Sequence, residues 1–243
     1  MKKVLAFLAV AALCVCACGE KDGPNNGGGK NNGGDDYQAP ITIDASFDDW
    51  AAIEDKVATY TCPAGHPKPD IKLCKVYADK YYVYLYVEFD YSAYEGEVSD
   101  NHFNICINGD NDTTTGGYEG DWAQGETPCI DLLIQGDVLS GGAAPEAFDP
   151  FVGTYANAAN AADWGWSECE GLSGFIEGKG TKKAWEFKLT REVYPAGKLA
   201  KEFTMGLSTC VNGWDSTGAL PAVEPTEENA AGRAPLMTVT LSK

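Results

Sequence analysis

Four oxygen-bearing side chains in one polar loop are the residues best suited to bind a metal ion: Asn108, Asp110, Asp112 and Glu119. Two runs with the composition of strands, residues 103–107 and 129–134, bound this loop. Oxygens at alternating positions are typical calcium ligands, because several must converge on the ion at about 2.3–2.6 Å. The sequence therefore predicts a structural Ca²⁺ site here. The alternative is an Asx-rich turn whose side chains bond to their own backbone.

Aromatic side chains in loop-like segments are suited to hold a sugar. The C–H face of a pyranose stacks on an indole or phenol ring, while flanking Asp, Asn and Gln side chains hydrogen-bond its hydroxyl groups. Five aromatic residues lie in segments rich in Gly, Asp and Ser: Trp122, Trp164, Trp166, Trp214 and Tyr118. We predict that they contact a glycan, with packing inside the domain as the alternative.

Motifs that support catalysis are missing from the sequence. It contains no GxSxG, no HExxH and no phosphate-binding Gly loop with Lys, and its only histidines are His66 and His102. Glycosidases need two carboxylates at a fixed separation, a criterion that 36 acidic residues satisfy by chance. We therefore expect a protein that is not an enzyme, with a glycoside-active enzyme as the minor alternative.

The elements that must position these residues are short strands separated by Gly, Pro and Asp turns. In the strongest run, residues 81–90, aliphatic side chains point to one side of the strand and Tyr82, Tyr84 and Tyr86 to the other. That tyrosine row could form a flat glycan platform or an interface, or be covered by a neighbouring segment. Further strands are predicted at residues 41–43, 56–61, 71–78, 175–177, 184–189, 203–211 and 236–241, with a hairpin turn at 178–180. The pattern predicts an all-β fold, an antiparallel, jelly-roll-like β-sandwich.

The N-terminal residues resemble a bacterial lipoprotein signal. Lys2 and Lys3 precede an apolar run too short to span a bilayer, and the run ends in a lipobox-like Val-Cys-Ala-Cys. Residues 1–17 are thus predicted to be removed and Cys18 to be lipidated, with an ordinary secretory signal as the alternative. Residues 18–39, rich in Gly and Asn, predict a flexible tether, and residues 40–243 the folded domain. We expect the protein in the outer membrane, lipid-anchored and exposed at the cell surface.

The charge of the chain narrows the possible partners. With 36 acidic and 18 basic residues, its formal net charge is −18. A strongly acidic surface disfavours nucleic acid and anionic lipid surfaces as partners. It is compatible with neutral ligands and with bound cations.

Six cysteines remain in the predicted domain: Cys62, Cys74, Cys106, Cys129, Cys169 and Cys210. An even count in an exported protein predicts at least one disulfide, with the pairing left open. The alternative is that some of them are small buried apolar residues of strands, as Cys106 and Cys210 could be. No CxxC spacing occurs among the six, which disfavours a zinc or thiol-redox site.

Residues 43–50, IDASFDDW, resemble the opening signature of family 9 carbohydrate-binding modules, an Ile-Asp-Gly followed by Asp-x-x-Trp. The resemblance continues in chain order through segments similar to that family's strands and Asp-rich turn: residues 71–79, 82–88, 104–108, 110–116 and 185–189. It implies a DOMON-like β-sandwich, structural calcium and a non-catalytic sugar-binding role. Because Trp50 and Trp185 lie in that family's structural motifs, the resemblance also implies that they belong to the core.

The chain also departs from that family's pattern. Ala45 stands where the family usually has Gly, and Asn108 where it has Asp. Its sugar-binding members clamp the sugar between two tryptophans, and the two corresponding regions here, residues 96–100 and 229–233, contain no Trp.

The prediction for function is a non-catalytic outer-membrane lipoprotein that binds a poly- or oligosaccharide. The alternative is a protein-interaction or assembly module that has lost the sugar site. The two differ in whether the loop tryptophans face a common open groove or are buried apart.

Overall fold

Two antiparallel β-sheets packed face to face form the fold. It is seen in a computed structural model that describes residues 37–118, 120–123, 129–155, 165–169, 175–192 and 198–242. One helical turn, α1 (Asp49–Ala52), and a 3₁₀ turn (Glu54–Lys56) precede the strands. The strands are β1 (Ala58–Thr61), β2 (Ile71–Ala78), β3 (Tyr82–Phe89), β4 (Asn101–Asn108), β5 (Leu132–Leu139), β6 (Phe151–Tyr155), β7 (Trp166–Glu168), β8 (Ile176–Gly180), β9 (Ala184–Thr190), β10 (Glu202–Val211), β11 (Gly218–Leu220) and β12 (Met237–Thr240). Among the described residues, no helix has the length and apolar content needed to cross a bilayer.

The strand order defines the two sheets. The first sheet has the order β1-β2-β3-β9-β8, and the second the order β11-β10-β4-β5-β6-β7. Strand β12 pairs with the first half of β10, on the same edge as β11. All of these pairings are antiparallel, so the predicted all-β sandwich is confirmed.

The core lies between the sheets and follows the predicted alternation. In β3, the aliphatic side chains of the strand are almost fully buried, and in β4 Phe103, Ile105 and Ile107 are too. Burying one such side chain contributes roughly 1.5–3 kcal/mol. Trp185 packs in the same cluster, as predicted. Successive residues of a strand point to opposite faces, so the intervening residues of β4 form the outer face of the second sheet.

The outer face of the first sheet is covered by the N-terminal segment. Trp50, Ile41, Ile43 and Ile53 pack against the row of Tyr82, Tyr84 and Tyr86. The tyrosine row is therefore neither a glycan platform nor a free interface, and Trp50 is in a core, as predicted. Residues 41–43 do not form the predicted strand. The side chains of Ile41 and Ile43 pack on the face of the first sheet, and the backbone of this segment does not pair with a sheet edge.

A buried carboxylate holds this segment in place. Glu186 of β9 is fully buried and accepts hydrogen bonds from the backbone N–H groups of Asp44, at 2.8 Å, and Ala45, at 2.7 Å. The indole Nε1–H of Trp50 donates to its other oxygen at 3.3 Å. Burial raises the pKa of Glu186, and these donors oppose that rise. Ala45 has φ of 69°, a conformation that suits glycine, the residue expected here from the family resemblance.

The hairpin between β8 and β9 turns later than predicted. Gly178 and Gly180 lie within β8, and the turn is formed by residues 181–183. A Cβ on Gly178 would lie 2.6 Å from the ring of Phe187, and one on Gly180 would lie 2.3 Å from the ring of Trp185. These glycines make room for aromatic rings, so here Gly marks a close packing contact rather than a turn.

The predicted disulfide is absent: all six cysteines of the domain are free. The strand register explains this, because Cys106 lies opposite Gly206 and Leu133, and Cys74 lies opposite Tyr60 and Val87. Burial raises the pKa of both thiols. The prediction of a disulfide was therefore wrong, and the alternative of small buried residues describes Cys106 and Cys210.

The buried carboxylate predicts a large effect on stability. Glu186→Ala leaves three donors without their acceptor, and we expect a loss of about 2–4 kcal/mol in the free energy of unfolding, measured by denaturant titration. Glu186→Gln keeps one acceptor oxygen and is expected to lose less. The matched control is Glu177→Ala, which removes a partly exposed ion pair with Lys188 and should cost under about 1 kcal/mol. Equal losses for Glu186→Ala and Glu177→Ala would contradict this assignment.

Candidate functional site

An open cleft of about 570 Å³ lies on the outer face of the second sheet. Its lining residues are Asn104, Tyr118, Gly120, Asp121, Gln135, Ser208, Cys210, Trp214, Asp215 and Ser216. They come from β4, β5, β10 and the loops that follow β4 and β10. A cleft of this size is in the range of small-molecule sites.

The floor of the cleft is a rung of three polar side chains on neighbouring strands. Asn104 lies directly opposite Ser208 on one side and Gln135 on the other. Its Nδ2 donates to the Ser208 hydroxyl at 3.2 Å, and Gln135 Nε2 donates to Asn104 Oδ1 at 2.8 Å. The floor is therefore a connected row of amide and hydroxyl groups, fixed by the sheet, that can exchange hydrogen bonds with a ligand.

One wall is an exposed indole. Trp214, in the loop between β10 and β11, is 69% exposed. Its ring stacks on the imidazole of His102, with the centroids 4.0 Å apart and the planes 3° from parallel. His102 Nδ1 is in turn 2.6 Å from Asp137 Oδ1. The other face of the indole is thus available for an apolar ligand surface.

Both ends of the Trp214 loop are tied down. Asn212 has φ of 54°, and its Oδ1 accepts hydrogen bonds from the backbone N–H groups of Ser99, at 3.0 Å, and Asp100, at 3.2 Å. At the other end, the Ser216 hydroxyl donates to Asp121 Oδ2 at 2.6 Å. These contacts reduce the entropy that the loop would lose when a ligand binds.

The opposite wall comes from Tyr118, Gly120 and Asp121. Tyr118 lines the cleft, and burial raises the pKa of its hydroxyl. Asp121 forms an ion pair with Lys68 in addition to its bond from Ser216. Asp121 therefore joins three segments of the chain at the rim of the cleft.

The structure brings two of the predicted aromatic residues, Trp214 and Tyr118, to the cleft. Trp122 is only 1% exposed, and its Nε1 donates to the Leu220 carbonyl at 2.9 Å. It packs over Gly206, where a Cβ would lie 2.3 Å from its ring. Trp122 is thus a packing residue, and its prediction as a ligand contact is corrected.

The other predicted ligand contacts lie elsewhere. Trp166 is half-buried in β7, and its ring packs edge-on against Tyr118 and Tyr155, with centroids at 5.7 and 5.3 Å. It supports Tyr118 from behind and does not line the cleft. Trp164, Glu119 and Cys18 lie outside the described residues.

The predicted calcium loop shows the hydrogen bonds of an Asx turn. Asp110 Oδ1 accepts from the Asp112 N–H at 2.8 Å, and Asp112 Oδ1 accepts from the Thr114 N–H at 2.8 Å. Among the described residues, no three or more His, Cys, Asp or Glu side chains are grouped so that they could hold a metal ion.

One buried oxygen beside this loop has no partner in the described part of the chain. Asn108 is 1% exposed, and its Oδ1 accepts no hydrogen bond there. Asp131 adjoins the same loop: it accepts from the Gly109 N–H at 2.8 Å. Burial, and also the nearby charge of Asp110, raise the pKa of Asp131. Calcium binding by Asn108, Asp110 and Asp112 stays a prediction, and Asp131 becomes a further candidate ligand.

Several residues of the cleft were not identified from the sequence. Asn104 and His102 alternate with buried residues of β4, so their outward position was readable from the pattern. Gln135 and Asp137 lie opposite them on β5 only because of the strand register, which the sequence does not show. No local signal in the sequence indicates that Trp214 stacks on His102, because Trp214 lies in the loop after β10 and His102 lies in β4, far away along the chain.

Comparisons with protein-family models, with curated proteins and with solved structures found no match.

The calcium prediction is tested by thermal unfolding. A ligand that binds only the folded state stabilises it by mass action, about 2.7 kcal/mol at a concentration one hundred times its Kd. We expect millimolar Ca²⁺ to raise Tm, and Asp110→Asn with Asp112→Asn to abolish the rise. Asn keeps the acceptor oxygen of each turn, so the substitution removes charge with little change in backbone. The control is Glu54→Gln with Asp55→Asn, two exposed carboxylates on the 3₁₀ turn. An unchanged Tm in calcium would leave the loop a plain turn.

Proposed function

We propose that this protein is a non-catalytic lipoprotein of the outer membrane that holds a glycan in the cleft of the second sheet. The observation that carries the proposal is Trp214, an exposed indole stacked on His102 beside a floor of amide and hydroxyl groups. Aromatic faces and fixed polar groups together are what a pyranose ring needs, because it has both C–H faces and hydroxyl edges.

In the part of the chain that the structure describes, the indole ring of Trp214 is packed against the protein on one face only. His102 occupies one face of the Trp214 indole, and Asp137 holds the imidazole through a 2.6 Å contact with Nδ1. A sugar ring can then pack on the opposite face without moving the loop. Because little is reordered on binding, a larger share of the contact energy appears as affinity.

The floor supplies hydrogen bonds at a fixed spacing. Asn104, Ser208 and Gln135 sit on three adjacent strands, which lie about 4.8 Å apart. A row of this kind can bond successive hydroxyl groups along the edge of a sugar. It would discriminate against apolar ligands, since they would leave these polar groups unpaired.

Binding without cleavage is proposed because the sequence lacks the catalytic motifs of the common hydrolase classes. Display on the cell is proposed from the lipobox-like Cys18 and from the Gly/Asn-rich residues 18–39. The net charge of −18 favours a partner that is not itself strongly anionic, which disfavours nucleic acid.

A protein-interaction module is the second candidate. An exposed tryptophan is also typical of the centre of a protein interface, and Trp214 meets that description. Trp214 faces the cleft, as the glycan-binding candidate requires. Trp122 is buried and Trp166 packs against Tyr118, as the protein-interaction candidate predicts.

A glycan array separates these candidates. The probe is the mature chain made soluble by Cys18→Ala, with calcium present, followed by calorimetry on the glycans that bind. We expect Trp214→Ala to weaken binding at least tenfold, about 1.4 kcal/mol, since the stacking surface is lost. Val223→Ala is the matched control, because Val223 is the other large apolar side chain that is exposed among the described residues, and it does not line the cleft. A blank array would favour the protein-interaction module.

The membrane anchor has its own test. Metabolic labelling with a palmitate analogue should label the protein in the outer-membrane fraction, and Cys18→Ala should abolish the label. Cys14→Ala with Cys16→Ala, two cysteines within the predicted signal, should leave it unchanged. Labelling that survives Cys18→Ala would contradict lipidation at this residue.

A further inference from the structure

The charged residues that line the cleft, in the part of the chain that the structure describes, are all of one sign. Of its ten lining residues, Asp121 and Asp215 carry carboxylates, and none is Lys or Arg. A third carboxylate, Asp137, adjoins the cleft through His102. The groups that could bond a ligand's charge are therefore acceptors rather than cations.

The ammonium group of Lys68 lies at the rim of the cleft, beside Asp121, and is already engaged. Lys68 forms an ion pair with Asp121, whose other oxygen accepts the hydroxyl of Ser216. An anionic ligand would have to share the Lys68 ammonium group with Asp121, whose negative charge lies beside it.

Asp215 is the carboxylate that remains for a ligand. It is exposed, and among the described residues it has neither a hydrogen bond nor an ion pair. Its neighbours on both sides are held, Trp214 by stacking on His102 and Ser216 by its bond to Asp121. The carboxylate is thus positioned next to the exposed indole, where a stacked ring would present its edge.

Cys210, another lining residue of the cleft, lies in the same negative electrostatic field. Burial, followed by the charge of Asp121, raises the pKa of the Cys210 thiol to about 11, and Asp215 adds to the rise. Lys68 opposes this effect and does not reverse it.

We propose, building on the proposed function, that the cleft selects glycans rich in hydrogen-bond donors, neutral or bearing ammonium groups, and rejects glycans with carboxylate or sulfate groups. Asp215 is the specificity-determining residue. Its carboxylate accepts hydrogen bonds from hydroxyl or ammonium groups of a sugar stacked on Trp214. Carboxylate and sulfate groups of acidic glycans are bound most strongly by Arg and Lys side chains, and the described lining residues provide none while placing two carboxylates in the cleft.

The experiment compares one sugar backbone in three charge states. The tightest-binding neutral oligosaccharide of the array is used as such, with its primary alcohol oxidised to a carboxylate, and with that alcohol replaced by an amine. Calorimetry with the full mature chain carrying Cys18→Ala is performed at low and at physiological salt. We expect the carboxylate form to bind at least tenfold more weakly than the neutral form, and the amine form to bind at least as tightly. The difference should narrow at higher salt because the charges are exposed.

Two variants separate the role of Asp215 from general charge. Asp215→Asn should narrow the gap between the carboxylate and amine forms at least threefold. Glu54→Gln makes the same change in net charge on the opposite side of the sandwich, in the segment that covers the first sheet, and should leave the gap unchanged.

Each other outcome overturns a distinct part of the account. Equal affinity for the carboxylate and neutral forms, or an array whose tightest ligand is acidic, overturns the charge selection and leaves glycan binding standing. A selection that survives Asp215→Asn overturns the role of that residue. An array with no binding at all overturns the proposed function and this inference together.

Discussion

The buried carboxylate of Glu186 decides which face of the sandwich is free. Ionising a buried carboxyl group is costly, and here two backbone N–H groups and the Trp50 indole offset that cost. Because those donors belong to the N-terminal segment, the same contacts lay Ile41, Trp50 and their neighbours over the tyrosine row of β3. One outer face becomes a second small core, and the outer face of the second sheet is left to meet a ligand.

Part of the outer face of the second sheet is covered by Trp122, which packs closely on Gly206. Trp122 packs on Gly206, next to Cys106 and Leu133, and covers this part of the sheet. Trp122 does not cover the next two rows of outward-facing residues on these strands. One row has Asn104 at its centre and the other has His102. Trp214 closes over the His102 row, so the cleft has a fixed polar floor between an aromatic wall and the loop that holds Asp121. The site follows from where two tryptophans pack, one buried and one exposed.

Alternation along single strands was enough to predict the sandwich and the inward face of β3, whereas the core positions of Trp50 and Trp185 were predicted from the family resemblance. Glycine was misleading where its role is packing, since Gly178 and Gly180 lie within β8 under aromatic rings. The site was predicted only in part, because Trp122 and Trp214 have similar polar neighbours in sequence and opposite exposure in the fold. Burial of a loop residue depends on contacts with distant strands, which a local pattern does not contain.

The most direct test of the account is where a bound glycan lies on the molecule. Two-dimensional ¹H–¹⁵N NMR of the mature chain with Cys18→Ala, titrated with the tightest-binding oligosaccharide, resolves the indole N–H groups of its six tryptophans. The account predicts that the Trp214 indole and the backbone amides of the floor strands shift together, while the indoles of Trp50 and Trp185 stay in place. Shifts centred on residues 41–57 and the tyrosines of β3, with Trp214 unmoved, would contradict it.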